Sequence, residues 1–376
     1  MKIKGFVLLL FIFITMIVYA NNPIVIPVLY GQSTTAVENK ITSEDIKGAF
    51  LAMDDINNRG GLLGREVEIL DCRISSIDLE EINALMEQIE SVDELFAIIG
   101  ANTSGLSLYF APKFQEKGVL MISPISTNPE VTKVGDFIFR ACFTDPFQGK
   151  VMASFALNEL NAKTAVILTK ITSDFSVGLS NFFAESFEKG GTILAQETYL
   201  GEAYDFSEIL LAVKALNPDV VFVPGHGSDS GLIIKQAYNM GIETTFLGGD
   251  GWGKGLLGFS GNEAADGNYF SNHWHKDTEN EISRAFVRKY QEKYGEGMIA
   301  SSAALAYDAF LLLEEAVNMA GSFDPKAVRD SLNQIKDFKG VTGTFDFTKG
   351  RDPFDKEAVI LKYNNGEIIY HATVSQ

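Results

Sequence analysis

FAIIGANTSGLSLYFAPKFQEKGVLMISPISTNP, residues Phe96–Pro129, holds two short apolar runs, each followed by a polar loop. Phe96–Gly100 (FAIIG) and Val119–Ile122 (VLMI) are continuously apolar, the pattern of strands buried on both faces of a parallel sheet. Between them, Ser104–Lys117 reads as a helix. Strand, loop, helix and strand make one βαβ unit, and open α/β sheets bind ligands beyond the carboxyl ends of their strands. The two loops are therefore the first places to look for chemistry. Ala101–Gly105 (ANTSG) puts the Ser104 hydroxyl at a helix N-terminus, where free N–H groups suit a carboxylate. Ser123–Pro129 (SPISTNP), with Ile125 and Thr127, is held irregular by two prolines, which leaves carbonyls and hydroxyls available. Taken singly, each is also what an N-cap or a polar turn looks like. Two at adjacent strand ends carry more.

The alternation extends in both directions. Upstream, Pro23–Leu29 and Glu66–Leu70 read as strands, with a loop over Gly31–Thr42. A helix carrying Ile46, Phe50, Met53 and Ile56 stops at Gly60-Gly61, and another helix spans Leu79–Ile89. Downstream the series restarts. Helices are expected over Val151–Leu160, Gly178–Lys189, Ser207–Leu216 and Gly231–Met240. Strands are expected over Thr164–Thr169, Ile193–Glu197, Val220–Pro224 and Thr244–Gly248. Two successive βα series predict an α/β protein of two doubly wound parallel-sheet lobes. Phe137–Asp145, Tyr269–Trp274 and Gly340–Phe347 read as extended crossings between the lobes, forming a multi-strand hinge. Glu281–Tyr294 and Ala303–Ala320 are amphipathic helices, and Asn364-Asn365-Gly366 marks a final hairpin. The expected division is 21–142 with 276–346 in lobe I, and 143–275 with 347–376 in lobe II.

Met1–Ala20 has Lys2 and Lys4, an apolar run Phe6–Val18, and small residues before a cut, the pattern of a cleaved signal. The run falls short of the roughly 20 residues that span a bilayer. No cysteine near the cut offers a lipid attachment point, so a soluble exported protein is expected. The 376-residue chain has a formal charge of −18; removing the signal takes two lysines and no acids, leaving −20. Such acidity speaks against nucleic acid as a partner and for a soluble monomer. Cys72 and Cys142 are the only cysteines, and sequence alone leaves a bridge and two buried thiols open.

The second series offers its own strand ends. Val220–Pro224 runs into Gly225-His226-Gly227-Ser228, and Thr244–Gly248 into Gly249-Asp250-Gly251-Trp252. A carboxylate at Asp250 suits a ligand ammonium across the cleft, and also suits a plain turn.

In their order, SEDIKGAFLAMDDINNRGGLLGREVEILDC, IIGANTSG, GVLMISPISTNPEVT, FIFRACFTDPFQG and FLGGDGW resemble the periplasmic leucine/isoleucine/valine-binding proteins, type I solute-binding proteins of ABC importers. The resemblance spans nearly the whole chain after the signal, and SPISTNPEVT is its most specific block. It implies two lobes that close on a small ligand, an amino acid first of all, and deliver it to a membrane ABC permease. It also implies residue roles. Ser104 and Thr127 contact the ligand carboxylate, Thr127 the α-amino group as well, and Ile125 contributes backbone contacts. Asp250 faces the ammonium, and Phe175 and His226 stand where tyrosines commonly line the cleft. Where the family's usual disulfide has its second cysteine this chain has Thr103, so that bridge is absent.

An enzyme is not expected: there is no GxSxG elbow, P-loop or HExxH, and no Rossmann GxGxxG directly after a strand, and no cofactor is implied. His273 and His275 would share one side of a strand, but without further ligand spacing they read as surface histidines, not a metal site. A binder of a short amide, urea or small carboxylate, and an exported sensor acting through a membrane receptor, stay open as alternatives.

Overall fold

The protein is described here from a computed structural model over residues 22–31, 36–75, 78–201 and 203–375. The expected signal, Met1–Ala20, lies outside the described residues. No helix among them is long and apolar enough to cross a membrane.

The first sheet is entirely parallel. Its strands are β1 (Ile24–Gly31), β2 (Val67–Ile74), β3 (Ala97–Gly100), β4 (Leu120–Ser123) and β5 (Ile138–Arg140), in the order β2-β1-β3-β4-β5. Register pairs Val28 with Ile99, Ala97 with Leu120, and Met121 with Ile138. Every residue of β3 and β4 is buried, which explains their unbroken apolar sequence. On one face Ile98, Met121 and Ile138 meet Ile82, Leu85, Phe110 and Phe114 from the helices Leu79–Glu90 and Ser104–Lys117. On the other, Ile26, Ile99 and Ile122 pack under Ala304, Leu312 and Leu313 of Ser301–Ala320, with Leu51 and Ile56 of Ala36–Asn58.

The second sheet comprises β6 (Thr164–Lys170), β7 (Thr192–Tyr199), β8 (Val220–Phe222), β9 (Thr245–Gly248), β10 (Tyr269–Asn272), β13 (Ala358–Asn364) and β14 (Glu367–Val374). Their order is β14-β13-β10-β9-β8-β6-β7, and only β13 and β14 run antiparallel to their neighbours. The helices Asp145–Asn158 and Asp174–Phe187 cover one face; Ser207–Leu216, Gly227–Asn239 and Gly253–Ser260 cover the other. The β13–β14 hairpin turns through Asn365 and Gly366 at φ 51° and 83°, the positive values that Asn-Gly supplies. Two doubly wound lobes joined by several connections are thus the architecture of the chain.

The crossings differ from the sequence reading. Within Phe137–Asp145, Ile138–Arg140 is the edge strand β5 and Asp145 already opens a helix, so the crossing is confined to 141–144. Tyr269–Trp274 contains β10, inside the second sheet, and the chain crosses after it. Gly340–Phe347 is not one extended strand. Gly340 closes β11 (Phe338–Gly340), which pairs with β12 (Gly343–Phe345) as a hairpin, and the crossing follows over 346–357. Helices Asp145–Asn158, Asp174–Phe187 and Gly227–Asn239 begin earlier than expected, and a helix from Ala36 occupies most of the expected Gly31–Thr42 loop.

Beside the last crossing lies a buried polar knot. Asp308 accepts from Val341 N (2.7 Å), Thr342 N (2.8 Å) and Thr342 Oγ1 (2.7 Å). Lys356 Nζ donates to Thr342 O at 2.9 Å and sits 3.5 Å from the centroid of the Phe345 ring. Burial pushes the Lys356 ammonium down to about 8, with Asp308 opposing.

Candidate ligand-binding cleft

In both sheets the chain reverses its direction of winding at an interior strand, between β1 and β3 and between β6 and β8. Side chains beyond the carboxyl ends of strands converge at such points. The two sets face one cavity of about 600 Å³, within the range of small-molecule sites. Ser104, Ile125, Thr127, Phe175, His226 and Asp250 all line it.

On the first sheet's side, Gly100 leaves β3 at φ 147°, where a Cβ would stand 2.4 Å from Leu29 O; only glycine fits. Thr103, not Ser104, caps the following helix, its Oγ1 accepting from Leu106 N at 3.4 Å. Ser104 stands in the first turn, 3% exposed, and its Oγ accepts from Asn128 N at 3.3 Å. The loop after β4 is stitched to the loop after β3: Ser123 Oγ and Ser126 Oγ donate to Ala101 O at 2.8 and 3.1 Å. Thr127 Oγ1 is buried without a hydrogen bond of ordinary geometry, while Thr127 O accepts from Asp145 N at 2.9 Å.

On the second sheet's side, Phe175 and His226 face each other with ring centroids 5.5 Å apart. The Asp250 side chain is 6% exposed, its Oδ1 accepting from Gln148 Nε2 and its Oδ2 paired with His273 Nε2, both at 2.9 Å. His273 is therefore no surface histidine. It is 2% exposed, and its ring lies 3.8 Å from that of Phe143. Being past the end of β10, it does not share a strand face with His275, which is also largely buried. Asp145 is completely buried with neither oxygen hydrogen-bonded. Burial pushes its carboxyl up to about 8, the Asp250 charge adding to the shift and the nearby Thr127 hydroxyl and Arg140 opposing it. That shift favours the protonated form of Asp145 at neutral pH, the usual outcome for a carboxyl held out of water.

Residues that sequence reasoning missed complete the walls. Lys170 Nζ approaches Asp229 Oδ1 at 3.3 Å, and the Tyr199 hydroxyl donates to the other oxygen. Both Lys170 and Asp229 line the cavity. Their sole sequence signal was position, Lys170 ending one strand and Asp229 following another. Asn128 Nδ2 donates to Asp174 O at 3.2 Å, tying the two rims. Cys72 and Cys142 are separate, buried thiols.

A cleft between two doubly wound sheets, lined by polar strand ends and with three chain connections joining the two lobes, defines a two-lobed solute-binding protein. Residues 23–367 match the model of the periplasmic binding protein family, and the chain belongs to that family. Among solved structures, the leucine binding protein of Thermotoga maritima is 33% identical with TM-score 0.85, covering 93% of this chain and 98% of that one. The branched-chain amino acid transporter substrate binding protein of Streptococcus pneumoniae, solved with isoleucine, is 32% identical with TM-score 0.85, covering 94% and 100%. The Leu/Ile/Val-binding protein homolog 3 of Brucella melitensis is 27% identical over 329 residues, 86% of this chain and 87% of that protein.

Proposed function

We propose that this chain is the exported substrate-binding protein of an ABC importer and captures an α-amino acid, branched-chain ones first, for delivery to a membrane permease. Lobe I (21–142 with 276–346) supplies the carboxylate half of the site and lobe II (143–275 with 347–376) the ammonium half. Ser104 at its helix end and Thr127 donate to the carboxylate, with Ile125 offering backbone contacts. Asp250 receives the ammonium, and Phe175 and His226 pack on the side chain. The protein binds and releases without turnover and acts as a monomer.

One observation carries the reading: Asp250 is fixed by Gln148 and His273 on the same cavity that Ser104, in the first turn of its helix, and Thr127 line. An α-amino acid bears both charges on one carbon and bridges the two halves. The names of the relatives, with leucine and isoleucine among their ligands, support the same class. The Lys170–Asp229 pair in the wall favours a second reading, a ligand with a polar amide end.

A thermal-shift screen of amino acids, amides and small carboxylates tests both. A ligand at a hundredfold excess over its Kd stabilises by about 2.7 kcal/mol. Leucine, isoleucine or valine should raise the melting temperature. Shifts confined to amides or to des-amino carboxylates would overturn the assignment.

A further inference from the structure

Arg140, the last residue of β5, is completely buried, and it is not part of the cavity wall. Its guanidinium donates to four acceptors on three segments. Two are the carbonyls of Ser126 and of Asn128, the latter at 2.8 Å. The others are Thr132 Oγ1 at 3.3 Å and Asp352 Oδ1 at 2.6 Å. The two carbonyls bracket Thr127. A rigid planar fork satisfies both in few backbone conformations, so its position limits how Thr127 is presented. Cys142 Sγ adds a contact to Ser126 O at 3.4 Å.

The counter-charge comes from elsewhere. Asp352 belongs to the 346–357 crossing, its side chain is 41% exposed, and it does not line the cavity. Its Oδ1 also accepts from Thr132 Oγ1 at 2.9 Å. The neighbouring Arg351 donates to Thr132 O through Nη2 at 2.8 Å, and its own carbonyl accepts from Arg140 N at 3.3 Å. The Thr127 loop, the end of β5 and the last inter-lobe connection are thus one hydrogen-bonded unit. Building on the amino-acid reading above, we infer that Arg140 is a positioning residue for Thr127, and that Asp352, on the inter-lobe connection, sets ligand affinity from outside the cavity.

Asp352→Ala is the test, because its partly exposed side chain can be removed without opening the core. Amide hydrogen exchange should quicken in peptides covering 123–132 and stay unchanged in Leu79–Glu90. Isoleucine affinity, measured well below the melting temperature, should fall about tenfold, within the usual span of coupling between separate sites. Asp352→Asn, which keeps the acceptor, should recover most of it. Combined with Thr127→Val, Asp352→Ala should add nothing further, since it acts through Thr127. Arg140→Lys, where it folds, should loosen the same peptides. A lower melting temperature with unchanged exchange at 123–132 and unchanged affinity would overturn the inference and leave Arg140 a purely structural residue. Should the wild-type protein not bind isoleucine, the amino-acid reading falls, while the exchange of 123–132 still decides the positioning role.

Discussion

Replacing Asp250 by asparagine separates charge from shape at the proposed ammonium site. Asp250 Oδ1 accepts from Gln148 Nε2 and Oδ2 pairs with His273 Nε2, so both oxygens are already held. An asparagine retains one acceptor for His273, and its amide nitrogen meets Gln148. Gln148 Oε1 has no partner, so the Gln148 amide turns over and accepts instead. The network therefore survives Asp250→Asn, and the melting temperature of the ligand-free protein should barely move. The charge does not survive. At a contact distance of about 3 Å and an effective dielectric near 20, a carboxylate and an ammonium attract by about 5 kcal/mol. Desolvating both groups takes back part of that, leaving a loss of roughly 2–5 kcal/mol when one partner is neutralised. That corresponds to about thirtyfold to several thousandfold in Kd. Titration calorimetry with leucine or isoleucine and with the matching des-amino acid reads it directly. The amino acid should lose affinity in the variant and the des-amino acid should not. Equal binding of the two ligands by the wild-type protein would refute the assignment of Asp250.

On the other half of the site, Ser104→Ala should cost roughly 1.5–3 kcal/mol of affinity for a carboxylate ligand, the worth of a hydrogen bond to a charged group. Thr127→Val should weaken binding comparably; unchanged calorimetric affinity in both variants would remove the carboxylate from this end. Asp145 gives a pH signature. Its folded carboxyl titrates at about 8, far above its ordinary value of 3.8, so folding takes up a proton between those values and stability falls as pH rises through the window. Asp145→Asn should be more stable than the wild type at alkaline pH and should flatten the dependence; parallel melting curves from acid to alkaline pH would contradict this. Lys356→Met should lower stability by about 3–5 kcal/mol, because Asp308 keeps its hydrogen bonds but loses the neighbouring positive charge. A change below about 1 kcal/mol in chemical denaturation would show that the knot is neutral.

Those residues were not equally visible beforehand. Strands such as Ala97–Gly100 and Leu120–Ser123 declare themselves, since double-sided burial demands an unbroken apolar run. Their polar ends followed from topology, so Ser104 and Thr127 could be named. Asp145 was hidden because Phe137–Asp145 reads as extended chain, although Pro146 sits in the first turn of a helix, where its missing N–H costs nothing. His273 was misread for a different reason. Its partner Asp250 is remote in sequence, and no local period announces a contact of that kind. Arg140 carries the same lesson, since its counter-charge Asp352 arrives after every strand of its own sheet is complete.

The order of synthesis gives the interleaved cores a consequence for biogenesis. The last strand of the first sheet ends at Arg140, but one face of that sheet is covered by a helix beginning at Ser301. The second sheet in turn waits for Ala358–Asn364 and Glu367–Val374. A chain emerging N-terminus first can complete the packing on both faces of neither sheet until nearly all of it is present, and contacts so distant in sequence form slowly. For the export proposed above this delay is an advantage: the connectivity that joins the lobes also postpones the moment at which a chain in transit becomes too compact to pass a membrane.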